Sequence, residues 1–296
     1  MMQKLSLAIL VTNYNTWELV QRCVEACHRQ DDGHFDSLLV YDDCSQTEFP
    51  GGFPAGTRIH RGLQNLGLTR ALNVAFGLIS EDIVVLFDSD AYPTTPFCDE
   101  VKGMFEQNPR LGLLGLRTVG ESGRPTESFT TEPNIWSLLL GQLLYAKMER
   151  LFGDKSGRIS LFTCAMAIRK AAFQEVNGFD PNFDWLDLDH DFSMRINRSQ
   201  WLTAIAQESR VFHEGGGTQQ LTRKRVERFY KTRWYLLGKF NRLPFKKLVK
   251  TLILARLCAE YLVIVCLGPI LFSDKVVLED KVEGRRELIS FCFRNY

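Results

Sequence analysis

The chain has 296 residues, 45% hydrophobic residues and a formal net charge of +1. This size and composition allow a large hydrophobic core, and the balanced charge argues against nucleic acid as a partner. Its 8 cysteines lie in apolar segments without zinc-ligand spacing, so we expect reduced core thiols. The first residues lack the pattern of a secretory signal, which predicts a cytoplasmic protein.

The first half of the chain alternates short apolar runs with helical patterns of apolar residues. The runs predict strands at 5–11, 38–41 and 83–87, with a further short element from Ile59. Helical spacing covers 17–29 and 68–78. Alternation of this kind predicts an α/β fold, with a doubly wound sheet that binds its ligand at the carboxyl edge of the strands.

Two carboxylates, Asp88 and Asp90, follow the apolar run at 83–87 and are separated only by Ser89. Because alternate side chains of a strand face the same way, both should project together at the carboxyl edge. Paired carboxylates with substrate phosphates are typical ligands of Mg²⁺ or Mn²⁺. The alternative is a strand that ends in an Asp-capped turn.

The second half begins with an apolar segment at 111–116 and a polar stretch at 118–133 that predicts a loop or flap. A helix is predicted at 135–152, apolar enough to pack on the domain or on a membrane surface. A strand at 159–168, a helix ending at Val176 and a turn at 177–180 follow.

An acidic cluster occupies 184–191, at the predicted start of another helix. Carboxylates in a first turn are favoured by the helix dipole, and this alone could explain them. However, Asp184, Asp187, Asp189 and Asp191 are more than capping needs, and crowded carboxylates are common in proton transfer or metal binding. Trp185 beside them offers an apolar face for a sugar ring.

A third cluster places His213 at the end of an apolar segment, before three glycines at 215–217. Such a histidine can approach a phosphate or a metal, although a lone histidine is more often structural. The basic helix that follows, 223–233, suits a diphosphate or anionic lipid headgroups better than nucleic acid.

The segment 248–272 is the most hydrophobic in the chain, but Lys250, Arg256 and Glu260 interrupt it. Its uncharged part, 261–272, is shorter than the roughly 20 residues that a spanning helix needs. The segment therefore predicts a helix that lies in a membrane interface or packs against the domain.

These motifs, in this order, resemble the family 2 inverting glycosyltransferases of GT-A fold, particularly the rhamnosyltransferase-like branch. The resemblance covers roughly residues 5–240. The motifs are Thr12-Asn13-Tyr14-Asn15, Asp42-Asp43-Cys44-Ser45, Asn65-Leu66-Gly67 with Arg70 and Asn73, Asp88-Ser89-Asp90, Gly178-Phe179-Asp180, Asp189-His190-Asp191 with Arg195, and His213.

The resemblance implies a Rossmann-like mixed sheet flanked by helices. It predicts a glycosyltransferase domain at 1–240, with a nucleotide-binding half at 1–117 and an acceptor-binding half at 118–240. Residues 241–296 would form a C-terminal amphipathic helical extension that could associate with a membrane.

The resemblance also implies roles for the residues at the carboxyl edge of the sheet. The nucleotide-sugar donor would contact Thr12, Tyr14, Asn15, Asp42, Asp43, Asn65, Arg70, Asp88 and Ser89. Within this set Asp43, with Asp42 as second candidate, would bind the nucleotide base, and Asp88 would face the ribose. Asp90 and His213 would hold the metal.

For the acceptor side, the resemblance implies Trp185 and His190 as binding residues and Asp189 as the catalytic base. The family usually has Glu-Asp where this chain has Leu188-Asp189. That departure keeps Asp187 and Asp191 as competing candidates for the base.

The implied activity is transfer of a hexosyl or deoxyhexosyl group, with inversion, from a UDP- or dTDP-linked sugar. The acceptor would be a hydroxyl of a glycan or lipid-linked molecule in cell-surface polysaccharide synthesis, at the cytoplasmic face of a membrane. Two alternatives are a sugar nucleotidyltransferase, which would need a glycine-rich basic loop after the first strand, and a non-catalytic glycan- or lipid-binding module.

Overall fold

The computed structural model describes residues 4–126, 128–152, 158–213, 222–272 and 274–296. The chain forms two compact units, Met1–Glu132 with Lys155–Gly217, and Pro133–Asp154 with Thr218–Tyr296. The predicted glycine run at 215–217 lies outside the described residues. The predicted domain boundaries at 117 and 240 remain predictions.

The first unit contains a mixed sheet with helices around it. Its strands are β1 (Leu7–Asn13), β2 (Ser37–Asp42), β3 (Thr57–Arg61), β4 (Ile83–Phe87), β5 (Ala91–Pro93), β6 (Leu111–Val119), β7 (Phe129–Thr131), β8 (Ile159–Leu161), β9 (Ala165–Arg169) and β10 (Leu202–His213). Its helices are α1 (Trp17–Asp31), α2 (Leu68–Gly77), α3 (Cys98–Gln107), α6 (Lys170–Glu175) and α7 (Leu188–Ile196).

In the second unit, the described residues form helices joined by short connections. Its helices are α4 (Trp136–Leu140), α5 (Gln142–Phe152), α8 (Thr222–Lys239), α9 (Lys246–Leu271) and α10 (Lys275–Asn295). The buried side chains of α9 and α10 include Val249, Ile253, Leu257, Leu288 and Cys292.

The main sheet has the strand order β3-β2-β1-β4-β9-β6-β10-β5. Strands β1 to β4 are parallel, β9 is antiparallel between β4 and β6, and β10 is parallel to β6. The predicted doubly wound α/β sheet is therefore confirmed, with β9 and β5 as its antiparallel members. Strands β7 and β8 form a separate two-stranded sheet.

Strands β1 and β4 lie in the middle of the core, and their uninterrupted apolar sequences explain this position. Every residue of β4 is buried, as expected for a strand with helices on both faces of its sheet. The parallel register pairs Val11 with Phe87. The polar residues after each strand therefore meet at one edge of the sheet.

Several predicted elements differ in their bounds. The predicted helix 135–152 is two helices, because Gly141 adopts a left-handed φ of 78° and a Cβ there would lie 2.6 Å from Nη1 of Arg256. The predicted strand 159–168 is β8 and β9, which belong to different sheets. The predicted loop 118–133 contains the end of β6 and all of β7.

One helix among the described residues, Lys246–Ile270 of α9, is long and apolar enough to cross a membrane. Its most apolar stretch has a mean hydropathy of 1.9, and 17% of that stretch is buried. Length and composition alone do not distinguish a membrane helix from a core helix.

Candidate active site

A possible metal centre is formed by Asp88, Asp90 and His213, each of which offers one ligand atom within 4.8 Å of the others. His213 Nε2 lies 3.7 Å from Asp90 Oδ1. The side chains of His213 and Asp90 are 30% and 15% exposed, so a solute can reach them. Two carboxylates and an imidazole are ligands that a divalent cation accepts.

The pairing of β5 with β10 brings His213 to the two carboxylates. The chain turns after Asp90 into β5, which runs antiparallel to β10 and pairs Ala91 with His213. A backbone bond from the N–H of Ala91 to the carbonyl of Asp88 closes the turn, at 3.0 Å. Residues far apart in the sequence are thus fixed side by side by main-chain pairing.

Negative charge is concentrated at this centre. The pKa of the Asp88 carboxyl is raised to about 7, mainly by burial and in addition by the neighbouring charges of Asp90 and Asp189. The pKa of the Cys164 thiol is also raised, first by burial and then by the same three carboxylates. A bound cation would offset this repulsion.

Of the three candidate bases, Asp189 is the one whose side chain is partly exposed. It lies in the first turn of α7, and its Oδ1 accepts a hydrogen bond from the backbone N–H of His190 at 2.8 Å. Its charge also raises the pKa of Asp88, so Asp189 lies close to the cluster of Asp88, Asp90 and His213.

The other two carboxylates are buried. Asp191 is 0% exposed, and its Oδ2 accepts a hydrogen bond from Nε of Arg195 at 2.7 Å. Asp187 precedes α7 in a left-handed conformation, with φ 63°, and its Oδ1 is 4.0 Å from Nε2 of the buried His190. These two carboxylates are enclosed at α7, whereas Asp189 is partly exposed and its charge acts on Asp88.

The acidic pair after β2 divides into two environments. Asp42 is 0% exposed, and its carboxylate accepts hydrogen bonds from Asn13 Nδ2 at 2.7 Å, from Arg61 Nε at 2.9 Å, and from the backbone N–H and hydroxyl of Ser45. This carboxylate joins the ends of β1, β2 and β3.

Asp43 instead holds the loop that begins α2. Its two oxygens accept the backbone N–H groups of Leu66 and Gly67, each at 2.9 Å. Asn65 Oδ1 accepts the same Gly67 N–H at 3.1 Å. The structure thus brings together Asp43 and Asn65, two of the residues predicted to bind the nucleotide sugar.

Asn15 connects the loops that follow β1 and β2. Its backbone N–H donates to the Ser45 hydroxyl at 2.8 Å, and its Oδ1 accepts the backbone N–H groups of Gln46 at 2.7 Å and Thr47 at 3.2 Å. Neighbouring Tyr14 is 45% exposed. Asn15 therefore supports the loop from which Tyr14 projects.

The other predicted site residues lie around this edge. Thr12 pairs with Tyr41 at the end of β1, Ser89 lies in the turn between β4 and β5, and Arg70 is exposed in the first turn of α2. Trp185 is partly buried in the segment before α7.

Sequence reasoning gave no role to several polar residues that organise the site. Asn13 is 2% exposed and, besides Asp42, bonds Ser45 and Thr16. Thr69 and Asn73, four residues apart on α2, bond the backbone of the segment before α7. The signal that could have identified Thr69 and Asn73 is their spacing of four residues, which places two polar side chains on the same side of α2 as its apolar residues.

Comparison with known proteins agrees with the geometry. Residues 8–176 match the model of glycosyl transferase family 2. The chain belongs to glycosyl transferase family 2. The match includes Asp42, Asp43, Asp88 and Asp90 but ends before Asp189.

A protein of Haemophilus influenzae described as an uncharacterized glycosyltransferase is 24% identical over 194 residues, which are 64% of this chain and 61% of that protein. The chain therefore spans less than two thirds of this curated relative.

Solved structures of glycosyltransferases share the fold. GalNAc-T7 with UDP, GalNAc and Mn²⁺ is 15% identical, with a TM-score of 0.56 over 79% of this chain and 51% of that one. The mannosyltransferase PcManGT of Pyrobaculum calidifontis, in complex with GDP-Man and Mn²⁺, is 14% identical, with a TM-score of 0.54 over 99% of this chain and 87% of that one. These similarities confirm the predicted GT-A fold.

Proposed function

We propose that this family 2 glycosyltransferase inverts the anomeric configuration while moving a hexosyl or deoxyhexosyl group from a nucleotide-diphosphate sugar to an acceptor hydroxyl. The observation that supports this most strongly is the cluster of Asp88, Asp90 and His213 with the Asp189 carboxylate beside it. One side of the cluster can serve the leaving diphosphate and the other the attacking hydroxyl.

Asp90 and His213 are the proposed holders of a divalent metal, Mg²⁺ or Mn²⁺. Such an ion, when bound, supplies positive charge to the departing diphosphate. Asp88 is assigned to the ribose of the donor, and its place within the same 4.8 Å cluster also makes it available as a third ligand. Mn²⁺ in the GalNAc-T7 and PcManGT structures supports a metal at this edge of the fold.

The nucleotide would bind between the loops after β1 and β2. We assign the base contact to Asp43, because Asp42 is fully buried and already accepts hydrogen bonds from three neighbouring residues. Thr12 and Tyr14 would line the base pocket, and the exposed Arg70 would reach the diphosphate.

Asp189 is the proposed base. Its carboxylate would take the proton of the acceptor hydroxyl while that oxygen forms a bond to the anomeric carbon. The bond from this carbon to the diphosphate oxygen breaks on the opposite side, and the electron pair leaves with the nucleotide diphosphate. One displacement of this kind inverts the anomeric configuration.

The acceptor is proposed to be a glycan or a lipid-linked molecule, contacted by Trp185 and His190. The sequence motifs support the rhamnosyltransferase-like branch, a UDP- or dTDP-linked donor and a role in cell-surface polysaccharide synthesis. A peripheral position on the cytoplasmic face of a membrane would bring the enzyme to a lipid-linked acceptor.

The test is nucleotide release from a panel of UDP-, dTDP- and GDP-linked sugars, with Mn²⁺, with Mg²⁺ and with chelator. We expect metal-dependent release of a nucleoside diphosphate from at least one donor, accelerated by a suitable glycan acceptor. Pyrophosphate release from a nucleoside triphosphate and a sugar 1-phosphate would instead indicate a nucleotidyltransferase. Binding of glycans without any release would indicate a binding module.

A further inference from the structure

Helix α9 turns the charged side chains of Lys250, Arg256 and Glu260 toward its own unit. Lys250 Nζ donates to the backbone carbonyls of Phe293 at 2.7 Å and Tyr296 at 2.9 Å, at the end of α10. Glu260 forms ion pairs with Arg256, at 3.3 Å, and with Arg285 of α10, at 2.8 Å. The charges that interrupt the apolar sequence are thus paired on the packed side of the helix.

The opposite side of α9 is uncharged from Leu248 to Ile270, a length of about 33 Å at 1.5 Å per residue. We call this side the outer face. On this face and at its margins, the exposed large residues are Leu248 at 55%, Leu252 at 46%, Leu262 at 60%, Val263 at 52%, Val265 at 43%, Leu267 at 47% and Ile270 at 82%. Smaller exposed positions between them are Thr251, Ala255, Cys258, Ala259, Cys266 and Pro269.

This arrangement is the reverse of a surface helix in water, which buries its apolar side and exposes its charges. A continuous exposed apolar surface of this length marks an interaction site. We propose that the outer face of α9 binds a lipid bilayer, with the helix lying in the plane of the membrane. This specifies the membrane contact of the proposed function, but it does not depend on catalysis.

The charges of the neighbouring helix favour a position in the plane over a span. The neighbouring α10 exposes charged residues along its length, among them Lys275, Glu279, Lys281, Arg286 and Glu287. Hydrocarbon around both helices would have to bury these charges, which is costly. In the plane, α9 enters the interface with one side while α10 stays in water.

A bilayer also fits the polar end of the outer face. Lys246 and Lys247 are both exposed at the beginning of α9, next to Leu248. Lysines that flank an interfacial apolar surface attract anionic headgroups. A second copy of the chain would need acidic residues opposite the same lysines, and the outer face itself carries none.

The test is sedimentation of the full chain with vesicles of phosphatidylcholine, with and without phosphatidylglycerol. The double variant Leu252→Glu with Leu262→Glu should lose at least about tenfold in vesicle affinity, because two apolar side chains no longer enter the interface. Leu144→Glu, at an exposed leucine of α5 with 56% exposure, is the matched control and should bind as the wild type does.

Three outcomes would overturn the proposal. The wild type could fail to bind either vesicle, the double variant could bind as well as the wild type, or Leu144→Glu could weaken binding equally. Sedimentation velocity without lipid identifies the competing occupant. A wild-type dimer that the double variant converts to monomer, without vesicle binding, would assign the face to a second copy of the chain.

A different observation concerns α2, which is bonded to both sides of the proposed active site. At its start, Gly67 donates its backbone N–H to Asp43, in the proposed base pocket, at 2.9 Å. Further along, the hydroxyl of Thr69 donates to the carbonyls of Phe183 and Asp184, just before α7.

One turn later, Asn73 exchanges two hydrogen bonds with the backbone of Phe179, at 2.8 Å and 2.9 Å. Gly178 must lack a side chain here, since a Cβ would lie 2.6 Å from Asn73 Oδ1. We infer that Thr69 and Asn73 are positioning residues that fix the segment leading to Asp189 relative to the donor site.

The inference rests on the proposed function, and its test compares Thr69→Val with Thr69→Ser. Valine keeps the shape but removes the hydroxyl, so kcat should fall about tenfold to a hundredfold while donor affinity stays unchanged. Serine keeps the hydroxyl that donates the hydrogen bond, so the Thr69→Ser variant should retain the kcat of the wild type.

Equal kcat for valine and wild type would overturn the inference, as would a serine variant no better than valine. A loss of kcat that simply follows a loss of folded protein, measured by thermal unfolding, would also count against it. Failure of the wild type to release any nucleotide would instead refute the proposed function.

Discussion

Replacement of Asp189 by Asn should remove catalysis and leave the fold intact. The Asp189 Oδ1 accepts the backbone N–H of His190 at 2.8 Å, and an Asn carbonyl can accept the same bond. Because the side chain is partly exposed, we expect the free energy of unfolding to change by less than about 0.5 kcal/mol. The amide cannot take a proton from the acceptor.

Loss of a general base costs a factor of about 10² to 10⁴ in rate, or about 3–5 kcal/mol in the activation barrier. The assay measures sugar transfer at saturating donor, alongside nucleotide affinity by calorimetry and unfolding by urea. We expect a large fall in kcat with unchanged nucleotide affinity. Near-normal turnover of Asp189→Asn would refute the assignment of the base.

The two neighbouring carboxylates provide matched comparisons. Asp191→Asn breaks the ion pair of a fully buried carboxylate with Arg195, whose side chain is 17% exposed, and we expect a loss of about 3 kcal/mol in stability. Asp187→Asn should be tolerated, because Asn adopts the left-handed conformation that position 187 has, with φ 63°. Full activity of folded Asp189→Asn together with inactivity of folded Asp187→Asn would move the base to Asp187.

Two further predictions concern carboxylates that support the fold. Asp42→Asn should lower the free energy of unfolding by about 2–3 kcal/mol, since an amide cannot accept hydrogen bonds from both Asn13 and Arg61 at a fully buried site. Urea unfolding measures this loss, with Asp99→Asn as the control because the Asp99 side chain is 81% exposed. Equal stability of the two variants would contradict it. For Glu100, burial raises the pKa, but hydrogen bonds from the Ser209 hydroxyl and three backbone N–H groups outweigh it, so the pKa lies below its usual 4.5. A depressed carboxyl pKa contributes stability that is present above the unfolded pKa and is lost as the pH falls through the folded pKa. Glu100→Gln should therefore flatten the loss of stability below about pH 4.5, and an unchanged acid unfolding curve would show that Glu100 is not its cause.

The carboxylate pair of the site was predictable because β4 is a short, wholly apolar run with Asp88 directly after it. The position of His213 was not predictable by pattern alone. It depends on β5, a strand of only 3 residues that pairs with β10. A strand so short leaves no periodic signal, and its partner is distant in the chain.

The different roles of Asp42 and Asp43 also required the structure. Adjacent residues at the end of a strand point to opposite sides, and the register of β2 decides which one is enclosed. Here Asp42 pairs with Asn13 of β1 and Arg61 of β3. Its neighbour is left to bond the start of α2.

In helix α9, the positions of the charged residues around the helix indicate which side is exposed. A search for long uncharged runs of sequence does not detect this pattern. At 3.6 residues per turn, Lys250, Arg256 and Glu260 fall within about a third of the circumference of the helix. The structure packs that side against the rest of its unit. Where the charges lie around the helix, rather than how many there are, determines the exposed surface.

The most direct test of the account is the binding of nucleoside diphosphates, UDP and dTDP, measured by calorimetry with and without Mn²⁺. The account predicts that Mn²⁺ strengthens binding to the wild type by at least about tenfold, and that Asp90→Asn and His213→Ala lose this gain. It also predicts that Asp189→Asn keeps it. Equal affinity with Mn²⁺ and with chelator, or a full Mn²⁺ effect in Asp90→Asn, would contradict the central claim that this cluster holds the metal of the leaving group.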